Sequence, residues 1–380
     1  MTASNPVWGY LPVGICLGLV WLQGIVFSQS PPINDLKLNT GKEIYQAACA
    51  GCHGVDGRGT PQSTLGFEPP ETFPDFTDCQ ATSREADADW QSIIHLGGPT
   101  KGFSEIMPSF TEALTAAQID QVIQHLRGFC REDSWPRGEL NLPRALVTEK
   151  AFPEDEAVVQ AAIATEGTPR VATELVYERR FGIRNQFELK VPLAFERQDT
   201  RTWFGGVGDL TLGYKRLLTS SLRTGSILSV AGEATLPTGN KARGLGSGVT
   251  IFEGFAAYGQ LLPKNGFLQF QGGVEVPTHR DDASKAVFWR AVAGASIAQG
   301  AGFGRLWSPM VELLADRELA SGEKTNWDVV PQLQVTLSRR QHIRANVGFR
   351  VPVTNAALRS TALVFYLLWD WFDGGIRDGW

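Results

Sequence analysis

Hydrophobic positions recur with two different periods along this chain. In the first third the period is helical: Ile119, Val122, Ile123 and Leu126 share one face of a predicted helix over residues 115–126. Shorter helical patterns cover Gly41-Lys-Glu-Ile-Tyr45-Gln-Ala-Ala and residues 85–95. From about residue 169 the period falls to two. Phe187, Leu189, Val191, Leu193 and Phe195 face one way while Glu188, Lys190 and Glu196 face the other. Ile343, Ala345, Val347, Phe349 and Val351 alternate in the same manner with His342, Arg344, Asn346 and Arg350. About eleven such runs, parted by turns such as Leu262-Pro-Lys-Asn-Gly266, predict ten or twelve antiparallel strands. Residues 132–168 hold little periodicity, several prolines and the acidic Glu154-Asp-Glu156, and read as a linker. The expected fold is multidomain: an all-α domain over 35–131, the linker, and an antiparallel β-barrel over 169–380.

The β half fits either a soluble sandwich or barrel with its apolar face inward, or an outer-membrane barrel with that face toward lipid. The runs exceed the roughly five or six residues of strands in soluble sheets. Lys190, Lys215, Arg290, Arg344 and Arg350 fall mid-strand on the polar face, where a barrel lumen would carry them. Trp203, Trp307, Trp327 and Trp369 fall near strand ends, where an interfacial girdle belongs. These features favour the transmembrane reading, although the last run, 362–369, is apolar on both faces. Charge divides along the same boundary. Residues 30–168 carry 21 acidic and 10 basic side chains, whereas 169–380 carry 19 acidic and 25 basic. No basic cluster with interleaved aromatics occurs, which argues against nucleic acid as a partner. Residues 7–27 are mostly apolar, and Val26-Phe-Ser28 followed by Gln-Ser offers a small-residue cleavage site, so 1–28 read as a secretory signal peptide or as a retained anchor.

The candidate chemistry centres on Cys49-Ala-Gly-Cys52-His53. A C-x-x-C-H run lets two thiols reach the two vinyl groups of one haem while the next histidine faces the iron. A zinc site would need a second ligand pair, and apart from Cys16 the other cysteines are the isolated Cys79 and Cys130. The run follows the Gly41-to-Ala48 pattern and precedes Gly54-Val-Asp-Gly57-Arg-Gly59-Thr-Pro61, and in this it resembles the class I cytochrome c family. The resemblance implies that Gly41 and Tyr45 let the first helix cross the last closely. It also implies that the carbonyl of Pro61 holds the ring N–H of His53; the plain alternative is an ordinary turn proline. Methionine occurs at 1, 107 and 310, and Met107 lies in Ile106-Met-Pro-Ser-Phe110, similar to the family's distal loop. His53 and Met107 are thus the expected axial ligands, with His95 and His125 as rivals. A thioether ligand raises the potential and closes the iron, which is the chemistry of a carrier more than of an enzyme.

Haem attachment of this kind occurs outside the cytoplasm, where disulfides persist. Cys79 and Cys130 are then either a bridge tying the Pro-rich loop to the last helix or two inert buried thiols. Their flanking stretches, Asp75-Phe-Thr-Asp-Cys79 and Arg127-Gly-Phe-Cys130, resemble a subset of bacterial cytochromes with this extra pair. In the β half, Gly208-Asp-Leu-Thr-Leu-Gly213-Tyr-Lys and Gly232-Glu-Ala-Thr-Leu-Pro-Thr-Gly239 are similar to barrels of the phenol-degradation meta-pathway outer-membrane family. The layout resembles that of the cytochrome–porin fusions of iron-oxidising bacteria, but with a full cytochrome and a short barrel. The expected function is that of a carrier with one covalent haem c, tethered by an outer-membrane barrel, with its haem domain in the periplasm among periplasmic redox proteins. The alternatives are an oxidoreductase drawing electrons from an external donor through the barrel, and a small-solute channel with a cytochrome docking or sensing module.

Overall fold

The computed structural model describes residues 38–61, 65–68, 70, 73–132, 134–165, 170–197, 203–279, 283–298, 305–372 and 374–379. The signal or anchor expected over 1–28 lies outside them. Among the described residues, five α-helices form the N-terminal domain: α1 (Gly41–Ala48), α2 (Ala50–His53), α3 (Cys79–Thr82), α4 (Asp87–Leu96) and α5 (Ala116–Arg127). Capping boxes start the two that carry the core, Thr40 with Glu43 on α1 and Thr115 with Gln118 on α5. Their apolar stripes, Ile44 and Tyr45 on α1 and Ile119, Val122, Ile123 and Leu126 on α5, meet Trp90 and Ile94 of α4. The α1–α5 crossing requires glycine at 41, because a Cβ there would stand 1.9 Å from the carbonyl oxygen of Gln121. Cys79 and Cys130 are joined in a disulfide with Cα atoms 5.1 Å apart.

Fourteen β-segments follow: β1 (Glu156–Ala164), β2 (Arg170–Phe181), β3 (Asn185–Arg197), β4 (Trp203–Val207), β5 (Leu210–Ser221), β6 (Ser226–Leu236), β7 (Ile251–Leu261), β8 (Gly266–Pro277), β9 (Ala286–Ala295), β10 (Ile297–Ala298), β11 (Leu306–Glu318), β12 (Asn326–Thr336), β13 (Ile343–Pro352) and β14 (Ala362–Asp370). β4 and β5 are two pieces of one strand, both paired with β3, and β9 and β10 are two pieces of another, both paired with β11. The result is a closed antiparallel barrel of 12 strands, sealed where β1 pairs with β14 from Glu156↔Asp370 to Ala164↔Ala362. Turns at 182–184, 222–225, 262–265 and 337–342 gather at the end where β1 begins and β14 finishes. Longer loops at 237–250, 278–285, 319–325 and 353–361 gather at the other end.

The barrel is apolar outside and polar inside. Along β5, Leu212, Tyr214 and Leu218 are exposed while Thr211, Lys215 and Leu217 are buried. Along β13, Val347, Phe349 and Val351 are exposed while Asn346 is buried. Glu156, Glu178, Gln186, Glu188, Gln269 and Glu312 are all within 3% of full burial.

The lumen is filled by the chain itself. The segment expected as a linker over 132–168 instead carries β1 and, before it, residues 138–155 threaded through the barrel. Glu312 accepts from the backbone N–H of Leu146 (2.9 Å) and Thr148 (2.8 Å), and Lys190 bridges Glu149 at 2.7 Å, Glu188 at 2.8 Å and Glu233 at 2.9 Å. Arg144 pairs with Glu156 (2.6 Å) and Glu178 (2.8 Å), and its carbonyl accepts from the hydroxyl of Tyr366 at 2.7 Å. Apolar side chains of the same segment pack inward too: Leu140 and Phe152 against Leu217, Ile227 and Phe255, and Leu146 against Val158, Val330, Val364 and Leu368. The inner face of β14 is apolar because it meets Leu146. The barrel therefore begins at Glu156 rather than at 169, and the intervening chain is a lumen filling rather than a free linker.

Candidate functional site

α2 is a single turn in which the backbone N–H groups of Cys52 and His53 both donate to the carbonyl of Cys49, at 3.1 and 2.9 Å. That turn sets both thiols and the imidazole toward one cavity of about 740 Å³. The cavity is walled by Phe76, Trp90, Ile94, Phe110, Val122 and Leu126, and Met107 lies on its lining. His95 and His125 do not line it. His125 packs its ring on Tyr45 at 5.2 Å and Phe129 at 5.0 Å, and the carbonyl of His95 is gripped by the hydroxyls of Ser109 and Thr111.

The loop carrying Met107 is tied to the end of α4. Gly98 N–H donates to the Met107 carbonyl at 3.0 Å, and Phe110 N–H donates to the Ile94 carbonyl at 3.1 Å. Glycine is needed at the junction: Gly97 has φ +87°, and a Cβ on Gly98 would stand 2.3 Å from the carbonyl oxygen of Ser104. On the other side, the Tyr45 hydroxyl donates to the carbonyl of Gly54 at 2.6 Å and fixes the end of α2.

His53 lies face to face with Phe73 at 5.1 Å and is flanked by Phe76 at 5.1 Å. Burial pushes its pKa down to about 4, so the ring is neutral at physiological pH, the form that binds a metal. Burial, with a smaller contribution from Cys52, pushes the Cys49 thiol up to about 11. The bond expected from His53 to the Pro61 carbonyl is not made: Nδ1 of His53 is buried with no hydrogen-bond partner among the described residues. The turn closes otherwise, through Gly59 N–H to the His53 carbonyl (2.9 Å) and Thr60 N–H to the Cys52 carbonyl (3.0 Å), while Phe73 occupies the face of the ring.

Two free, half-buried thiols, a neutral imidazole and one thioether around an apolar cavity form a donor set that fits a covalently attached haem. Residues 38–129 match the family model described as Cytochrome c. This segment is a cytochrome c domain. Such a domain implies covalent haem c. No curated protein matches the chain. Among solved structures, the chain is similar to the COG4313 outer membrane channel from Pseudomonas putida F1, with a TM-score of 0.40 and 17% identity over 60% of this chain and 99% of that one. It is also similar to the NanC porin (TM-score 0.41, 8% identity, 56% of this chain, 98% of that one). A third is the KdgM porin solved in complex with disordered oligogalacturonate (0.37, 4%, 56%, 98%).

The cytochrome domain rests on the short-turn end of the barrel. Arg84 pairs with Asp155 and lies 4.0 Å over the ring of Phe372, and Gly138 N–H donates to the Ser83 carbonyl at 2.7 Å. Arg340, on the turn between β12 and β13, donates to the Gly102 carbonyl at 2.9 Å and lies 4.2 Å over Phe103. Sequence reasoning missed these contacts. Arg340, Phe372 and Asp378 also reach the haem cavity from more than 200 positions away, and no spacing in the sequence marks them.

Proposed function

We propose that the chain is a single-haem electron carrier held at the inner mouth of an outer-membrane barrel. The observation that carries this reading is the docking of the cytochrome c domain on the short-turn end of a barrel whose lumen residues 138–155 fill. The outward band of Leu212, Tyr214, Phe252, Phe270, Val347 and Phe349 with buried lumen charges is the pattern that lipid demands of a closed barrel. Short turns on the periplasmic side and longer loops outside are the usual arrangement, which supports the reading of a periplasmic haem domain that exchanges electrons with soluble redox proteins.

Haem bound here supplies one-electron chemistry between ferric and ferrous iron. The chain's residues do the rest. Cys49 and Cys52 are the thiols that would hold the ring covalently, and His53 and Met107 are the side chains that would ligate its iron. Phe76, Trp90 and Leu126 exclude water, which favours the less charged ferrous form. The lumen contacts of Glu312, Lys190 and Arg144 oppose the channel reading, since a solute would have to displace residues 138–155. The through-barrel reading requires a conductor in the lumen, and the sequence holds a single C-x-x-C-H.

The test is membrane fractionation with haem staining, together with the ferric spectrum of Met107→Ala. Covalent haem in the outer membrane, with loss of the weak methionine-to-iron charge-transfer band in the variant, supports the carrier. Haem in the inner membrane or the soluble fraction refutes the barrel anchor, and an unchanged spectrum removes Met107 from the iron.

A further inference from the structure

The turns at the cytochrome end of the barrel carry charge of one sign. Among the described residues, each of them holds an exposed cation: Arg184 between β2 and β3, Arg223 between β5 and β6, Lys264 between β7 and β8, and Arg339 between β12 and β13. Arg305, also exposed, leads into β11 at the same end. None of these turns contains an aspartate or a glutamate. The loops at the opposite end carry both signs, with Arg280, Asp281, Asp282 and Lys285 in one and Glu323 and Lys324 in another. Because the hairpins follow one another around a closed sheet, the cations recur at every second strand from β2 round to β13 and encircle the rim. Two strands span about 10 Å across the sheet, roughly the distance over which physiological salt screens a charge, so each cation acts on its own neighbour.

The outer surface beside this ring is aromatic. Tyr177, Phe270 and Trp307 are exposed close to the same strand ends, and Trp371, just past β14, packs on Tyr177 at 4.9 Å. An aromatic girdle followed by cations is the order a membrane surface imposes, where the apolar core gives way to the interface and then to the headgroups. The acidic haem domain lies at this end but does not account for the ring. All five cations stay exposed with the domain docked, and none has an ion pair to a carboxylate among the described residues. An acidic soluble partner would cover one side of the rim, whereas the ring faces every side.

We propose that this ring is a binding belt for the anionic phospholipid headgroups of the leaflet at the short-turn end. The inference rests on the membrane-barrel reading above and adds the class of lipid that the rim selects. Each guanidinium or ammonium donates to a headgroup phosphate, a charge-assisted contact, while the aromatic side chains beside it sit at the interface. The belt also neutralises the leaflet beside the haem domain, whose own excess of acids an anionic surface would repel.

The experiment reconstitutes the full chain in phosphatidylcholine vesicles and measures, by electron spin resonance, how much spin-labelled phosphatidylglycerol the protein immobilises relative to spin-labelled phosphatidylcholine. One surface lysine or arginine favours anionic lipid about fivefold at its position. The wild type should therefore prefer phosphatidylglycerol, and rising salt should erode that preference. Arg223→Gln, Lys264→Gln and Arg339→Gln combined should cut it by about half or more, while Lys324→Gln at the far end leaves it unchanged. Equal immobilisation of the two lipids by wild type overturns the belt. So does a triple variant that keeps the full preference, which would leave these cations to an acidic soluble protein. A loss as large in Lys324→Gln would mean diffuse attraction by charge anywhere on the barrel and overturns it too. A chain that stays off the vesicles overturns the membrane-barrel reading itself, and the belt with it.

Discussion

Single positions decide how tightly the haem domain closes. Gly41 is the sharpest case, because its Cβ position lies 1.9 Å from a backbone oxygen of α5 that cannot move without breaking the helix. Gly41→Val should lower the stability of the cytochrome domain by about 1–3 kcal/mol, the cost of overpacking a close contact. Thermal melting followed at the haem absorption band reads this directly, and a melting temperature equal to wild type would show that the crossing relaxes. The disulfide acts on the unfolded chain instead. Cys79 and Cys130 close a loop of 51 residues, so Cys79→Ala with Cys130→Ala should cost roughly 4 kcal/mol at most by loop-closure entropy. Denaturant unfolding of the double variant against wild type checks it. No loss would mean that Arg127, which is bonded to Asp87 and lies 3.8 Å over Trp90, already pins the same region.

The regular elements differ in how plainly the sequence marks them, and the reasons are physical. The strands with one face to solvent-excluded charge and one to an apolar exterior, β3 and β13, keep a clean period of two and were legible. β1 was not, because Glu156-Ala-Val-Val-Gln-Ala-Ala-Ile-Ala is rich in small residues and its buried Val158 faces an apolar patch of the lumen. β14 looked anomalous for the same cause, since Leu146 covers Val364 and Leu368 from inside. Residues 138–155 have no period of their own, as their backbone groups bond to lumen side chains rather than to a neighbouring strand. Local spacing or scarcity marks Cys49, Cys52, His53 and Met107, which the structure brings to one cavity, whereas nothing in the sequence marks the stacking of Phe73 on His53. The lumen segment yields a prediction. Glu312→Ala removes the acceptor of Leu146, Val147 and Thr148, and bonds to a charged acceptor are worth about 1.5–3 kcal/mol each. Planar-bilayer recordings should show small or absent currents for wild type and larger, fluctuating ones for the variant. Identical traces would mean that Arg144, Lys190 and the apolar anchors hold the segment without it.

The two domains meet through charged contacts that the barrel's lower rim provides, and their arrangement has a directional consequence. Every described turn at the cytochrome end is short, while the loops at 237–250 and 319–325 stand at the far end. If the far end faces the medium, protease added to intact cells should cut within those loops and leave the haem-stained domain uncut until the outer membrane is opened. Barrel strands should stay associated after such nicking, because each remains paired on both sides around the closed sheet. A haem-bearing fragment released from intact cells would reverse the orientation. The same preparation can ask whether docking survives high salt. Arg84 is 7% exposed and Asp155 4%, so this pair is shielded from screening in a way that surface ion pairs are not. Asp155 also accepts from the backbone of Arg180 at 2.9 Å, at the end of β2. Asp155→Asn therefore weakens the joint from the barrel side without touching the haem cavity, and it should loosen the cytochrome domain enough for limited proteolysis near residue 132 in opened cells. Equal protection of variant and wild type would show that Arg340, Phe372 and the threaded segment suffice to hold the domains together.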